Sequence, residues 1–238
     1  GMGRPLARGA AAPLAADPTV SEVAPASMIN DSENGLVITG TGFSAALSGT
    51  AVLTPPTVLL DSTVLPEVGW VASTTLTSTV PAGFPVGVYT VTVENPDGSS
   101  GALPDALTVG YPVPEVESVD PVSGTYGQAL VLTVTGTHFV PTPTVSLGSV
   151  PCPAVDFVSS TTLTVTVPGA LPPGIHELTV VNPGPEAPQD DLPDAFTLYS
   201  PKPTVTAIEP IEGPNDLAVA VVITGTGFAP TPDRKSVV

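Results

Sequence analysis

Apolar and polar residues alternate along this chain in short stretches, at a spacing that does not suit helices. Leu163, Val165 and Val167 interleave with Thr162, Thr164 and Thr166, the period-2 pattern of a strand with one buried and one wet face. Leu178 and Val180 repeat it beside His176. Carried through residues 114–199, the pattern predicts strands at Glu115 to Val119, Leu130 to Thr135, Thr144 to Leu147, Val155 to Val158, Thr161 to Val167, Ile175 to Val181 and Ala195 to Tyr199. Short strands at this spacing, divided by turn residues, predict a sandwich. Turns are expected at Asn34-Gly35, Pro96-Asp97-Gly98 and Pro172-Pro173-Gly174, where Gly and Pro supply the needed backbone angles. The fold class is all-β.

The pattern recurs. Gly40-Thr41-Gly42-Phe43 returns as Gly136-Thr137-His138-Phe139 and as Gly225-Thr226-Gly227-Phe228. Each lies 22 residues after a proline that opens an alternating segment: Pro18 before Gly40, Pro114 before Gly136, Pro203 before Gly225. Equal gaps with matching ends mark an internal repeat. Later segments of the first two copies also match: Ser73-Thr74-Thr75-Leu76-Thr77 with Ser160-Thr161-Thr162-Leu163-Thr164, Trp70 with Phe157, Tyr89 with His176, and Asn95-Pro96 with Asn182-Pro183, all at a shift of 87. Leu103-Pro104-Asp105-Ala106 matches Leu192-Pro193-Asp194-Ala195. Copy one carries nine extra residues between Phe43 and Trp70, expected in a surface loop. Copy two gains two in an acidic loop around Asp190 and Asp191. Copy three has only two strands' worth of sequence, Val205 to Ile208 and Ala218 to Thr224. Two strands cannot close a core, so this piece is expected to be frayed or borrowed by copy two.

Composition supports the β reading and narrows the function. The chain holds 31 Pro and 23 Gly in 238 residues, which β corners tolerate and helices do not. Net charge is −17, and between Ala10 and Asp233 the only Lys or Arg is Lys202. Nucleic-acid binding depends on Lys and Arg at phosphates, so no nucleic-acid partner is expected. No apolar run approaches the roughly 20 residues of a membrane helix, so no membrane insertion is expected. Residues 1–17 hold two Arg and several Ala without a sustained apolar stretch, so they show no signal peptide. They read as a flexible Ala/Pro-rich tail. The chain begins with Gly1, and the expectation is an incomplete N-terminus on a longer multi-repeat protein. The last six residues, Asp233 to Val238, are unlike what precedes them and read as a translated sequencing adapter, so a non-native end is expected.

The run of Pro, apolar strand and Gly-Thr-Gly-x-Phe, with the Val-x-Asn-Pro-x-Gly hairpin, resembles the IPT/TIG family. Its members are immunoglobulin-like modules found in plexins, some transcription factors and many bacterial surface proteins. The resemblance implies tandem early-set immunoglobulin-like β-sandwiches of about seven strands each. Domain 1 would span 18–111, domain 2 114–199, and a truncated third repeat 203–238. His138 departs from the pattern, where a second Gly is usual, and Ala24-Pro25-Ala26-Ser27-Met28 lacks a Gly at its corner.

Most conspicuous residues read as structural. Phe43, Phe139 and Phe228 are expected to plug cores beside Gly40, Gly136 and Gly225, with Trp70 and Phe157 packed at equivalent strand positions. Of 11 aromatic residues, Tyr126, Phe84 and Tyr111 fall outside repeated core-like positions and are the candidates for stacking on a sugar. Glu186, Asp190, Asp191 and Asp194 offer hard oxygen ligands for a weak Ca²⁺ patch, or are simply solvated loop charge. His138 and His176 lie in different strands without a neighbouring ligand set. Cys152, the one cysteine, reads as a small apolar residue under a loop or the source of an intermolecular disulfide. No catalytic, cofactor-binding or other metal residues are expected.

The expected function is a non-catalytic extracellular module for structure or adhesion, a semi-rigid spacer or interaction stalk. Its linkers are short and Pro-rich, and its partner would be a protein or a glycan. The alternative is an accessory, carbohydrate-binding domain of a larger secreted polysaccharide-active enzyme. Either role places the chain outside the cell or on its surface.

Overall fold

A computed structural model describes residues 17–228. The first sixteen residues of the expected tail, and the expected non-native end, lie outside the described residues. Two compact units form, the first on residues up to Pro112 together with Gly184–Glu186, the second on Val113–Pro183 and the residues from Ala187. Among the described residues every regular element is a strand.

The first unit contains β1 (Thr19–Ala24), β2 (Ser27–Ile29), β3 (Asn34–Thr41), β4 (Ala46–Ser48), β5 (Ala51–Thr54), β6 (Thr57–Leu60), β7 (Thr63–Val64), β8 (Gly69–Ala72), β9 (Thr75–Val80), β10 (Gly87–Glu94) and β11 (Ser100–Gly110). One sheet has the order β1-β3-β9-β8, the other β2-β11-β10-β6-β7. The second unit repeats this plan with β12 (Glu115–Asp120), β13 (Ser123–Thr125), β14 (Val131–Thr137), β15 (Thr144–Leu147), β16 (Val150–Pro151), β17 (Val155–Ser159), β18 (Thr162–Thr166), β19 (Gly174–Val181) and β20 (Gln189–Tyr199). Its sheets run β12-β14-β18-β17 and β13-β20-β19-β15-β16.

Each first strand is cut by a proline that cannot donate to the ladder. Pro25 ends β1, and the chain crosses to pair β2 in parallel with β11, Met28 beside Val109. Pro121 does the same, with Gly124 of β13 beside Leu198. The bonds before Pro25, Pro121 and Pro210 are cis.

Alternation explains the cores. In β9 the side chains of Leu76, Ser78 and Val80 are buried while those of Thr75, Thr77 and Thr79 are half-buried. Leu36 and Ile38 join them from the neighbouring strand β3, and Val58, Leu60, Val91 and Val93 from the facing sheet. The second core repeats the set with Leu132, Val134, Leu147, Leu163, Val165, Leu178 and Val180. Each cluster holds sixteen buried residues. A buried aliphatic or Phe side chain contributes roughly 1.5–3 kcal/mol, so each unit has a core of its own to stand on.

Four expectations are corrected. Asn34-Gly35 is not a turn: both residues already pair in the ladder with Val80 and Thr79, and the turn falls before them at residues 30–32. The nine-residue insertion is not a plain loop but the β4–β5 hairpin, a separate two-stranded sheet with Leu47 and Val52 exposed. The last strand of copy two starts at Gln189, so Asp190 and Asp191 lie in β20, and the two added residues fall in the turn before it. Finally, among the described residues β21 (Thr204–Glu209) and β22 (Val222–Thr226) pair only with each other, as a separate two-stranded sheet, so the third copy is not lent to the sheets of copy two.

Candidate functional site

The repeated motif builds one corner three times. The 22-residue offset is a register: Thr19 pairs with Thr41, Glu115 with Thr137, and Thr204 with Thr226, each ladder bulging two residues later. At this corner the backbone of the first strand presses on Gly40, Gly136 and Gly225. A Cβ on any of them would be driven into the carbonyl oxygen of Thr19, Glu115 or Thr204, and would lie 2.6, 2.8 or 2.7 Å from the ring of Phe43, Phe139 or Phe228. Glycine is required there because only its bare Cα admits the neighbouring backbone. Next in the chain, Gly42 and Gly227 take φ of 73° and 71°, and His138 takes the same left-handed turn at 57°. Histidine is among the side chains that tolerate this region, which is how copy two dispenses with the second glycine.

Phe43 and Phe139 are almost wholly buried beneath the corner, while Phe228 is 49% exposed. The expectation that Phe228 plugs a core is therefore corrected: among the described residues no second sheet faces the β21–β22 pair. Trp70 packs partly buried against the first core and donates its Nε1–H to the Phe43 carbonyl at 3.4 Å. Its counterpart Phe157 is 37% exposed and lies outside the second core. The packing expected of Phe157 is corrected: it sits on edge strand β17, in a row where Asp156 and Val158 are also exposed.

The corner also has a lock that lies outside the Gly-Thr-Gly-x-Phe motif. Asn95, 2% exposed, donates from Nδ2 to the Gly42 carbonyl at 2.9 Å and accepts from the Ser44 amide at 2.9 Å. Asn182, fully buried, donates to the His138 carbonyl at 2.7 Å. A buried amide that ties a turn to a strand end is a structural fastener. The signal was in the sequence, as the matched Asn95-Pro96 and Asn182-Pro183.

The polar candidates are mostly engaged in the frame. Asp190 accepts from the Val116 amide at 2.8 Å, at the bulge between Val116 and Ser118, and Asp191 accepts from the Thr179 hydroxyl at 2.6 Å. Asp194 takes φ of 51°, as Asp105 does in copy one, at the bulge that interrupts the last ladder. Among the described residues no group of three His, Cys, Asp or Glu comes together as a metal set. Of the acidic patch, Asp190 and Asp191 thus stand at the start of β20 and accept these bonds, Asp194 lies further along that strand at the bulge, and Glu186 sits in the turn before it.

His176 bonds through Nε2 to the Pro172 carbonyl at 2.8 Å, the role Tyr89 fills in copy one toward Pro85 at 2.7 Å. Burial pushes the Tyr89 phenol up, and the Asp61 carboxylate adds to it. At the first hairpin turn, the Ser99 hydroxyl and amide hold the Asp97 carboxyl below its usual range. Cys152 packs against the second core, and burial pushes its thiol up to about 11. Of the stacking candidates, Phe84 is 6% exposed and lies edge-on to Tyr89 at 5.3 Å, so it offers no platform. Tyr111 is half-buried, and Tyr126 remains open.

These features define a tandem of immunoglobulin-like sandwiches whose repeated residues serve one corner. The IPT/TIG domain model matches residues 18–109 and 114–198, and the chain belongs to that family. No curated protein matches it. Among solved structures it is similar to the surface glycan-binding protein PbSGBP-B from Prevotella bryantii, at 17% identity over 75% of this chain and 42% of that one, with a TM-score of 0.51. It is similar to the plexin A4 extracellular region at 16% identity, over 82% of this chain and 16% of that one, with a TM-score of 0.35. The adhesin InvE of Yersinia pseudotuberculosis aligns at 18% identity over 75% and 58%, with a TM-score of 0.41. The chain spans less than two thirds of each of these proteins.

Proposed function

We propose that this chain is a non-catalytic extracellular module, serving as a spacer or interaction stalk. The observation that carries the reading is where its repeated residues are spent. Gly40, Phe43 and Asn95, like Gly136, Phe139 and Asn182, close a corner and hold a core. Corners repeated from copy to copy suit a part whose job is to keep its shape between other parts. Linkers of a few residues, Gly110 to Val113 and Ser200 to Lys202, support the spacer role because short Pro-containing connections bend little. The acidic exterior favours solubility outside the cell. Stretching the chain between handles at its two ends is the test. Two separate unfolding events are expected, each releasing about 30 nm for a module of this size at ~3.5 Å per residue. A chain that extends without resistance would refute the spacer.

A second reading, glycan recognition as an accessory domain, is favoured by one observation. Tyr126 and Tyr199 are 43% and 59% exposed, and the Tyr126 amide donates to the Tyr199 carbonyl at 2.8 Å, so two open aromatic residues are neighbours. Exposed aromatic rings suit stacking on sugar faces, and a glycan-binding surface protein shares the fold. Glycan-array binding that is lost in Tyr126→Ala would support it; a blank array would remove it.

A further inference from the structure

Copy two is open at an end that copy one ties shut. In copy one the turn after β2 is bonded to the loop before β10. Asn30 accepts from the Gly83 amide through its carbonyl at 2.7 Å and donates from Nδ2 to the Phe84 carbonyl at 3.1 Å. In copy two Tyr126 stands in the place of Asn30, its amide bonded to the Tyr199 carbonyl as that of Asn30 is to Gly110. The facing loop keeps its own turn, Leu171 donating to Pro168 at 3.0 Å as Phe84 does to Pro81 at 3.3 Å. Among the described residues, however, no bond ties Ala170 or Leu171 back to Tyr126.

The untied end holds a cleft of about 380 Å³, formed within the second sandwich alone. Tyr126, Gln128, Leu130, Pro153, Thr166 and Pro168 line it. Pro168 is buried, Leu130 and Thr166 are half-buried, and Tyr126 and Gln128 are exposed. The volume is of the size that small-molecule sites use.

The chemistry of this lining selects its occupant. No lining residue is an Asp, Glu, Lys, Arg or His, in a chain with 22 Asp and Glu. An ionic ligand finds no partner there, and an anionic one is repelled by the acidic chain around it. Tyr126 supplies an apolar ring face, while the Gln128 amide and the Thr166 hydroxyl both donate and accept. A pyranose has the matching build, C–H faces girdled by hydroxyls. A cleft this short suits sugar rings better than a peptide, which is held along a long groove or a free strand edge.

We propose, resting on the reading of the chain as a glycan-recognition domain, that this cleft is a subsite for a neutral pyranose unit of an uncharged polysaccharide. The sugar stacks on Tyr126, and its hydroxyls bond to Gln128 and Thr166. Copy one, closed by Asn30, has no such subsite.

The test titrates the full chain with cellohexaose, laminarihexaose and mannohexaose, with oligogalacturonate as a charged comparison and decaproline as a peptide comparison, and follows amide NMR shifts. A neutral sugar should move the amides of residues 126–130 and 166–169 and leave those of residues 30–34 and 79–83 in place. Tyr126→Ala should weaken that binding roughly tenfold or more, and Gln128→Ala should weaken it several-fold. Phe157→Ala, which removes an exposed ring outside the cleft, should leave it unchanged. No shift with any neutral sugar at millimolar concentration would overturn the subsite and the glycan reading together. Sugar binding that moves other amides, or that survives Tyr126→Ala, would overturn the subsite alone. Oligogalacturonate or decaproline moving the cleft amides where the neutral sugars do not would overturn it as well, because the occupant would then be an acidic glycan or a peptide.

Discussion

Replacing Asn95 with alanine removes the fastener of the first corner and leaves its partners behind. The Ser44 amide and the Gly42 carbonyl each lose a bond of 2.9 Å. A buried polar group left without a partner costs about 1–3 kcal/mol. Gly42 and Ser44 are themselves only half-buried, so water compensates in part, and a total of about 2–3 kcal/mol is expected. Trp70 makes the measurement clean: it is the one tryptophan, and its ring bonds to the same corner at the Phe43 carbonyl. Urea unfolding followed by tryptophan fluorescence therefore reports the first module alone. With an m-value near ~1.5 kcal/mol/M, the midpoint should fall by about 1.3–2 M.

Asn95→Asp sharpens the test. The Ser44 amide keeps its acceptor, but an oxygen now faces the Gly42 carbonyl where a donor stood. Burial and that carbonyl raise the carboxyl's folded pKa above its unfolded value, so the folded state holds the proton more tightly. The penalty relative to the parent protein should then be large at neutral pH and shrink as pH falls toward about 4 and below. A midpoint shift under about 0.3 M for Asn95→Ala, or an Asn95→Asp penalty that does not depend on pH, would refute the fastener.

Other outcomes follow from the same geometry. Gly136→Ala should destabilise the second module by about 1–3 kcal/mol, seen as faster amide exchange in its core strands while the Trp70 transition stays put. His138→Gly should stabilise the second module by up to ~1 kcal/mol, because it relieves a left-handed L-residue whose side chain is exposed. With its thiol raised from 9.0 to about 11, Cys152 should alkylate roughly a hundredfold slower than an unstructured cysteine at pH 8. Since the folded state holds that proton more tightly, its contribution to stability is full below about 9 and is lost as pH rises toward 11. A thiol that reacts at the rate of free cysteine would contradict the packing of Cys152.

The legible part of the fold is the part written in period-2 alternation and in repetition. Thr144–Leu147 was read to the residue, and the 22-residue offset proved to be a ladder register. Short elements escaped. β13 and β16 have three and two residues, too few to alternate, and β13 exists because Pro121 forces a change of sheet. Asn34-Gly35 has the composition of a turn, but its place is set by the long-range pairing with β9. Asp190 and Asp191 looked like loop charge because acids are rare in strands; partners at Val116 and Thr179, 74 and 12 residues away, make them strand residues. Phe157 misled for another reason. Equivalent strand positions share a backbone, but not the Trp70 bond to the Phe43 carbonyl.

That each of the first two copies closes a core without help from its neighbour can be tested by producing residues 17–112 and 113–199 as separate proteins and melting each beside the full chain. Each half should unfold cooperatively, within a few degrees of its transition in the full chain. A half that stays unfolded alone, with rapid exchange at Leu36 and Ile38 or at Leu132 and Val134, would contradict it.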